Sequence, residues 1–221
     1  IPELKKVCHA YGVSINEYLV AVYVWSVYTE CMHGMPSERP VRVAVPVNLR
    51  PYFNSITTKN FFVMVSAEFH PTKEIYTFEE VLKSVSESLR SQISRENLEK
   101  LFSYNVSNEK LLAARIVPLF LKNLAMRYVY TTSALANTAT VTNIGNISVS
   151  EEYRPYVEMF HAFLAMSKGQ HLKGTICSYG DTLVFSFSYD LTDTSVQRGF
   201  FRKIAADGIA VEIETNGVNY E

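Results

Sequence analysis

Most of the usual catalytic signatures are missing from this 221-residue chain. It has no GxSxG turn to present a nucleophilic serine, no phosphate-cradling glycine loop, and no adjacent pair of histidines. Close CxxC or HxxxH spacings are also absent, so the residue pattern argues against a zinc site, and we expect no metal. Only three cysteines occur, Cys8, Cys31 and Cys177. They are odd in number and far apart, which reads as reduced thiols in a cytoplasmic protein. An excess of charge of either sign is missing too. The formal net charge is −1, which removes the general electrostatic case for a nucleic acid or anionic membrane partner. The apolar runs do not suit a membrane span: Tyr18 to Tyr28 is too short, and Leu111 to Tyr130 carries Arg115, Lys122 and Arg127. The opening IPELKKVCHAYG is charged and helix-like rather than a signal peptide. It lacks an initiator methionine and enters helical periodicity at once, so we expect a piece of a longer chain.

What is present is organised around residues 41 to 69. Val41, Val43, Val45 and Val47 alternate with Arg42, Ala44, Pro46 and Asn48, the period of a half-buried strand. Arg50 follows at the mouth of that strand and precedes Pro51, which predicts extended rather than helical geometry for it. A guanidinium there needs a carboxylate or several carbonyls, and no nearby acid supplies one. A second strand is predicted from Phe61 to Phe69.

Elsewhere the spacing predicts a helix over Pro2–Ala10 ended by Gly12. Ser14 and Glu17 form a capping box that opens a helix apolar on nearly every side. Thr77 and Glu80 open an amphipathic helix with Phe78, Val81, Leu82, Val85, Leu89 and Ile93 on one face. Glu109 to Tyr130 reads as helical but interrupted at Pro118, and Thr131 to Asn137 as loop. Strands are predicted at Thr138–Ile144 and Val157–Met166, and a hairpin at His171–Ser178 and Thr182–Asp190 around Gly180-Asp181. A last helix, capped by Thr194 with Gln197, turns Val196, Phe200 and Ile204 inward. The tail from Thr215 is expected to fray. The fold expected is α/β, a two-layer sandwich with a mixed, largely antiparallel sheet and helices mainly on one face, as a single domain over residues 1–221.

Two polar spots could line a site. Asn48, Arg50 and Asn60 surround the loop after the first strand, and Thr142, Asn143 and Gly145 end a later one. Turn capping explains them equally well. Of the five histidines, His161 falls in the predicted Val157–Met166 strand, where a core histidine bonded to a carbonyl and a catalytic base are the two readings. His9, His33, His70 and His171 fall at loops and helix ends.

VPVNLRPYFNS with NFF, then VTNIG, then LVFSFSYDLTDTSVQRGFFRKIA resemble the C-terminal half of acyltransferases related to chloramphenicol acetyltransferase. That superfamily includes condensation domains and alcohol acetyltransferases. SINEYLVAVYVWSVY resembles the helix that precedes the first strand of that half. The resemblance implies a two-lobe enzyme with its active site in a tunnel between lobes. The general base would be the second histidine of an HHxxxDG motif in the N-terminal lobe, and this sequence has no such motif. It further implies that Arg50 forms a structural salt bridge between lobes to the aspartate of that motif, and that Asn143 and Gly145 of VTNIG lie near the tunnel; Asn48, Asn60 and Thr142 join them as candidate lining from their places at the strand ends. Acyl-CoA or an acyl-carrier thioester would be substrate, with no tightly bound cofactor. Expected partners are the protein's own N-terminal lobe, a carrier protein, and a second copy through the exposed lobe interface. Two alternatives stay open: a non-catalytic condensation-like lobe that binds a partner, and a self-contained trimeric acetyltransferase using His161.

Overall fold

The computed structural model describes residues 1–110, 117–167 and 169–216. Helix α1 (Pro2–Tyr11) begins on a proline tolerated in a first turn and stops at Gly12, whose φ of 68° is the left-handed conformation of a helix end. Helix α2 (Ile15–Ser26) has the full capping box: Glu17 N donates to Ser14 Oγ at 3.2 Å and Ser14 N to Glu17 Oε2 at 2.7 Å. Every residue from Tyr18 to Val24 is at most 1% exposed, so this helix is the centre of the core. Its two tyrosines can be buried because their hydroxyls are bonded, Tyr18 to Asp207 Oδ2 at 2.6 Å and Tyr23 to the Leu172 carbonyl at 3.2 Å. The helix then widens into a π turn at Val27–Cys31.

Five strands follow: β1 (Val41–Asn48), β2 (Phe62–Phe69), β3 (Ala139–Asn146), β4 (Leu172–Tyr179) and β5 (Thr182–Tyr189). Their order is β2-β1-β3-β4-β5. The outer pairs, β1 with β2 and β4 with β5, are antiparallel over eight residues each, while β1 with β3 and β3 with β4 are parallel. The sheet is mixed, as the sequence suggested. Val41, Val43 and Val45, with Val63, Val65, Ala67 and Phe69, form one core with α1, α2, α4 (Phe78–Gln92) and α7 (Ser195–Ala206).

The outer edge of β2 is closed by α4 at Ser66 and Glu68. Glu68 N donates to Ser88 Oγ, Ser84 Oγ to Glu68 O, Ser88 Oγ and Gln92 Nε2 to Ser66 O, and Ser66 N to Gln92 Oε1, all between 2.7 and 3.2 Å. Ser84, Ser88 and Gln92 recur every fourth residue, so one stripe of the helix satisfies backbone groups a neighbouring strand would otherwise take.

Several expectations need correction. Residues 131–135 are helical: α6 spans Leu119–Leu135, and Thr131 and Thr132 keep their hydroxyls bonded one turn back, to Arg127 O at 2.8 Å and Tyr128 O at 3.0 Å. Before Pro118 the chain forms α5 (Arg95–Lys110). The part of the predicted helix at 111–116 lies outside the described residues, as does the end of the tail at 217–221. Val157–Met166 is not a strand but an irregular strap. Both edges of β4 are already paired, so this apolar segment lies over the sheet instead. Phe160 O accepts from Cys177 Sγ at 3.1 Å and Ala165 O from Lys173 Nζ at 2.8 Å. At α7 the Thr194 side chain makes no cap bond. Asp193 serves there, accepting from Ser195 N at 2.9 Å and Ser195 Oγ at 2.8 Å.

Candidate functional site

The carboxyl ends of the parallel strands β1, β3 and β4 lie at one end of the sheet. There β1 and β3 part. They pair only at Val43–Ala139 and Ala44–Thr140, so the sheet opens between the exit of β1 and the exit of β3. Such openings beyond strand carboxyl ends are where open α/β sheets place ligands.

On the β1 side the chain turns through a one-turn helix, α3 (Arg50–Phe53). Arg50 is therefore helical, contrary to the reading from Pro51. Proline suits a first turn, and Tyr52 N and Phe53 N both donate to Leu49 O, at 3.0 and 3.1 Å. The half-buried guanidinium finds carbonyls rather than a carboxylate. Nε donates to Thr57 O at 2.9 Å, Nη2 to Lys59 O at 2.6 Å and Nη1 to Asn48 Oδ1 at 3.2 Å. Asn48 Oδ1 also accepts from Arg50 N at 3.1 Å. Asn48 and Arg50 are thus one unit that folds the 54–60 loop back on the strand end. Asn60 is exposed in that loop.

On the β3 side Asn143 Oδ1 accepts from Gly145 N at 2.8 Å, at a break in the register with β4. Gly145 has φ 87°, which a side chain would strain. Asn143 and Gly145 therefore shape a turn, while Thr142 is half-buried beside Thr175.

Behind α3 a cleft of about 410 Å³ is lined by Ser14, Glu17, Tyr52, Leu89, Arg90 and Ile93. Arg90 spans its wall, donating from Nε to Glu17 Oε1 at 2.5 Å and from Nη2 to Gly12 O at 3.0 Å. Burial pushes the Glu17 carboxyl up, but the Arg90 hydrogen bond and the Ser14 amide outweigh it and hold the group below its ordinary value.

His161 is not a core histidine. It is exposed in the strap, stacked near Phe163, with Nε2 3.6 Å from Glu214 Oε2. Two others also face acids that sequence spacing did not reveal: His171 meets Asp190 at 2.9 Å across the hairpin and His70 meets Glu68 at 3.4 Å. Cys8 and Cys177 are buried, and burial raises both thiols, Cys8 to about 11. Neither is a ready nucleophile. Among the described residues no group of three His, Cys, Asp or Glu side chains could hold a metal ion, and no helix is long and apolar enough to cross a membrane.

No protein-family model and no curated protein matches the sequence. Solved structures do match. The wax ester synthase/diacylglycerol acyltransferase from Marinobacter aquaeolei VT8 aligns with 94% of this chain and 47% of its own, at 15% identity and TM-score 0.51. The epimerization domain from the third module of tyrocidine synthetase B aligns with 93% of this chain and 45% of its own, at 12% identity and TM-score 0.56. The nonribosomal peptide synthetase FmoA3 aligns with 94% and 20%, at 17% identity and TM-score 0.59. The chain thus spans less than half the length of each. Its fold, a mixed five-stranded sheet with helices, is similar to that of part of each of these three proteins.

Proposed function

We propose that this chain is the C-terminal lobe of a thioester-dependent acyltransferase, moving an acyl group from acyl-CoA or a carrier protein to a hydroxyl or amine. The observation that carries the reading is the match of nearly the whole chain to less than half of a wax ester synthase/diacylglycerol acyltransferase and of an epimerization domain, with no HHxxxDG motif in its sequence. The base that deprotonates the acceptor then comes from an N-terminal lobe. Arg50 suits the seam between lobes. Its fork has about five N–H groups, and the three guanidinium bonds to Thr57, Lys59 and Asn48 leave the others for an incoming carboxylate. Helix α6 suits a seam as well. Leu119, Phe120, Leu124, Met126, Tyr128 and Tyr130 are each more than half exposed, an apolar surface that a second lobe would cover.

The test is thioester turnover by mass spectrometry, over a panel of acyl-CoAs and small alcohols. This chain alone should be silent, and activity should return when an N-terminal lobe bearing HHxxxDG is joined to it. Turnover by the isolated chain, lost in His161→Ala, would instead establish a self-contained enzyme based on the His161–Glu214 pair. Failure of the joined lobes with every CoA donor and every carrier thioester would favour a non-catalytic lobe that binds a partner.

A further inference from the structure

The two edges of the sheet are finished differently. At β2 the outward backbone groups of Ser66 and Glu68 are occupied by α4 side chains. At β5 nothing comparable occurs. Its one neighbour is β4, with unbroken register from Thr182–Tyr179 to Tyr189–Leu172, and among the described residues its outer row of N–H and C=O groups bonds to nothing in the chain. The strand reads TLVFSFSY. It has no proline, no charged side chain and no bulge, so the devices that normally blunt an exposed edge are missing. Phe185, Phe187 and Tyr189 are only half-buried although they belong to the core face.

We propose that β5 pairs with β5 of a second copy, antiparallel about a two-fold axis. Two sheets of five would become one of ten. The occupant is argued from the strand itself. Antiparallel pairing of identical strands with period-two alternation sets each face against its own kind. The row Leu183, Phe185, Phe187 and Tyr189 meets itself, and so does the row Val184, Ser186 and Ser188. With no charge between Thr182 and Tyr189, like charges never face each other along the ladder. Of the acids at the two ends, Asp181 and Asp190, the second has a basic group nearby: His171 Nδ1 lies 2.9 Å from Asp190 Oδ1. This interface is independent of the acyltransferase reading, since it uses neither Arg50 nor α6.

The experiment combines light scattering over a concentration series, hydrogen exchange at the two ends of that series, and a charge pair. One variant carries Val184→Lys with Ser188→Lys, the other Val184→Glu with Ser188→Glu. The unmodified chain should become dimeric as concentration rises, with amide exchange across 182–189 slowing at least about tenfold, as expected when open backbone groups become paired. Each variant alone should stay monomeric at concentrations where the unmodified chain is dimeric, and an equimolar mixture should dimerise again. Melting by circular dichroism checks that the variants are folded; if they are not, exchange in the unmodified chain decides alone. A monomer at every concentration overturns the proposal. So does a dimer whose β5 amides exchange as fast as in the monomer, with protection over 119–135 instead, or a dimer unaffected by four added lysines.

Discussion

Arg50 pins the 54–60 loop to the end of β1 through main-chain carbonyls. Its position after a strand and before Pro51 marked it as a charge in need of partners. That those partners are the carbonyls of Thr57 and Lys59 could not be read, because main-chain acceptors leave no residue-type signal. Arg50→Ala should free the 54–60 loop and cost about 1–2 kcal/mol, since hydrogen bonds from a partly exposed charge are lost without leaving a buried ion behind. Exchange rates in the loop, compared with those in β1, check this. Glu17 was legible as a capping residue, but its second role, holding Arg90 some seventy positions away, was not. Because the folded carboxyl is held below its unfolded value of about 4.3, its stabilisation is complete above that pH and is lost as pH falls through the folded value. Glu17→Gln should cost about 1 kcal/mol at neutral pH, mainly as the lost charge facing the part-exposed Arg90, since glutamine keeps the capping box, and should flatten the acid side of the stability curve. Urea midpoints measured from pH 3 to 7 would show a parallel, unflattened curve if the reading is wrong. Gly174 is a third case. A β-carbon there would sit 2.6 Å from Phe185 Cζ and 3.2 Å from Val141 Cγ2, so Gly174→Ala should lower stability by about 1–3 kcal/mol, seen as a lower melting temperature.

Among the elements, those with a strong period were legible. Helices α2 and α4 announced themselves by capping boxes and apolar spacing, and the β4–β5 hairpin by Gly180-Asp181 between alternating runs. Elements defined by their surroundings were not. The strap at 157–166 has strand-like composition, but a strand also needs a free edge, and β4 had none to offer. The polar stripe Ser84, Ser88 and Gln92 of α4 binds β2, which helical spacing alone does not record. Ser88→Ala should leave Glu68 N without its acceptor and cost about 1–3 kcal/mol, checked by chemical denaturation. Helix α6 gives the opposite expectation. Leu124→Glu should change the stability of this chain by less than about 0.5 kcal/mol, because Leu124 is 67% exposed. The same substitution should weaken docking of a second lobe, read as a loss of affinity when the two lobes are mixed.

For the molecule as a whole, fold class and the mixed sheet followed from the order of periodic segments, apart from the strand expected at 157–166, while most of the candidate site did not. The opening between β1 and β3 arises because their pairing ends after two residues, where Pro46, at the next position of β1 facing β3, has no N–H to donate. The closed edge at β2 also has a consequence for assembly. A subunit with two sticky edges is a bifunctional monomer and can polymerise without limit. Among the described residues this one offers β5 as its fully open edge: a single pairing step consumes it and leaves at each end of the product a β2 edge blocked at Ser66 and Glu68. Ser84, Ser88 and Gln92 thus act as a chain terminator, and their loss would raise the valence of the subunit from one to two, turning a closed pair into the repeat of a fibre.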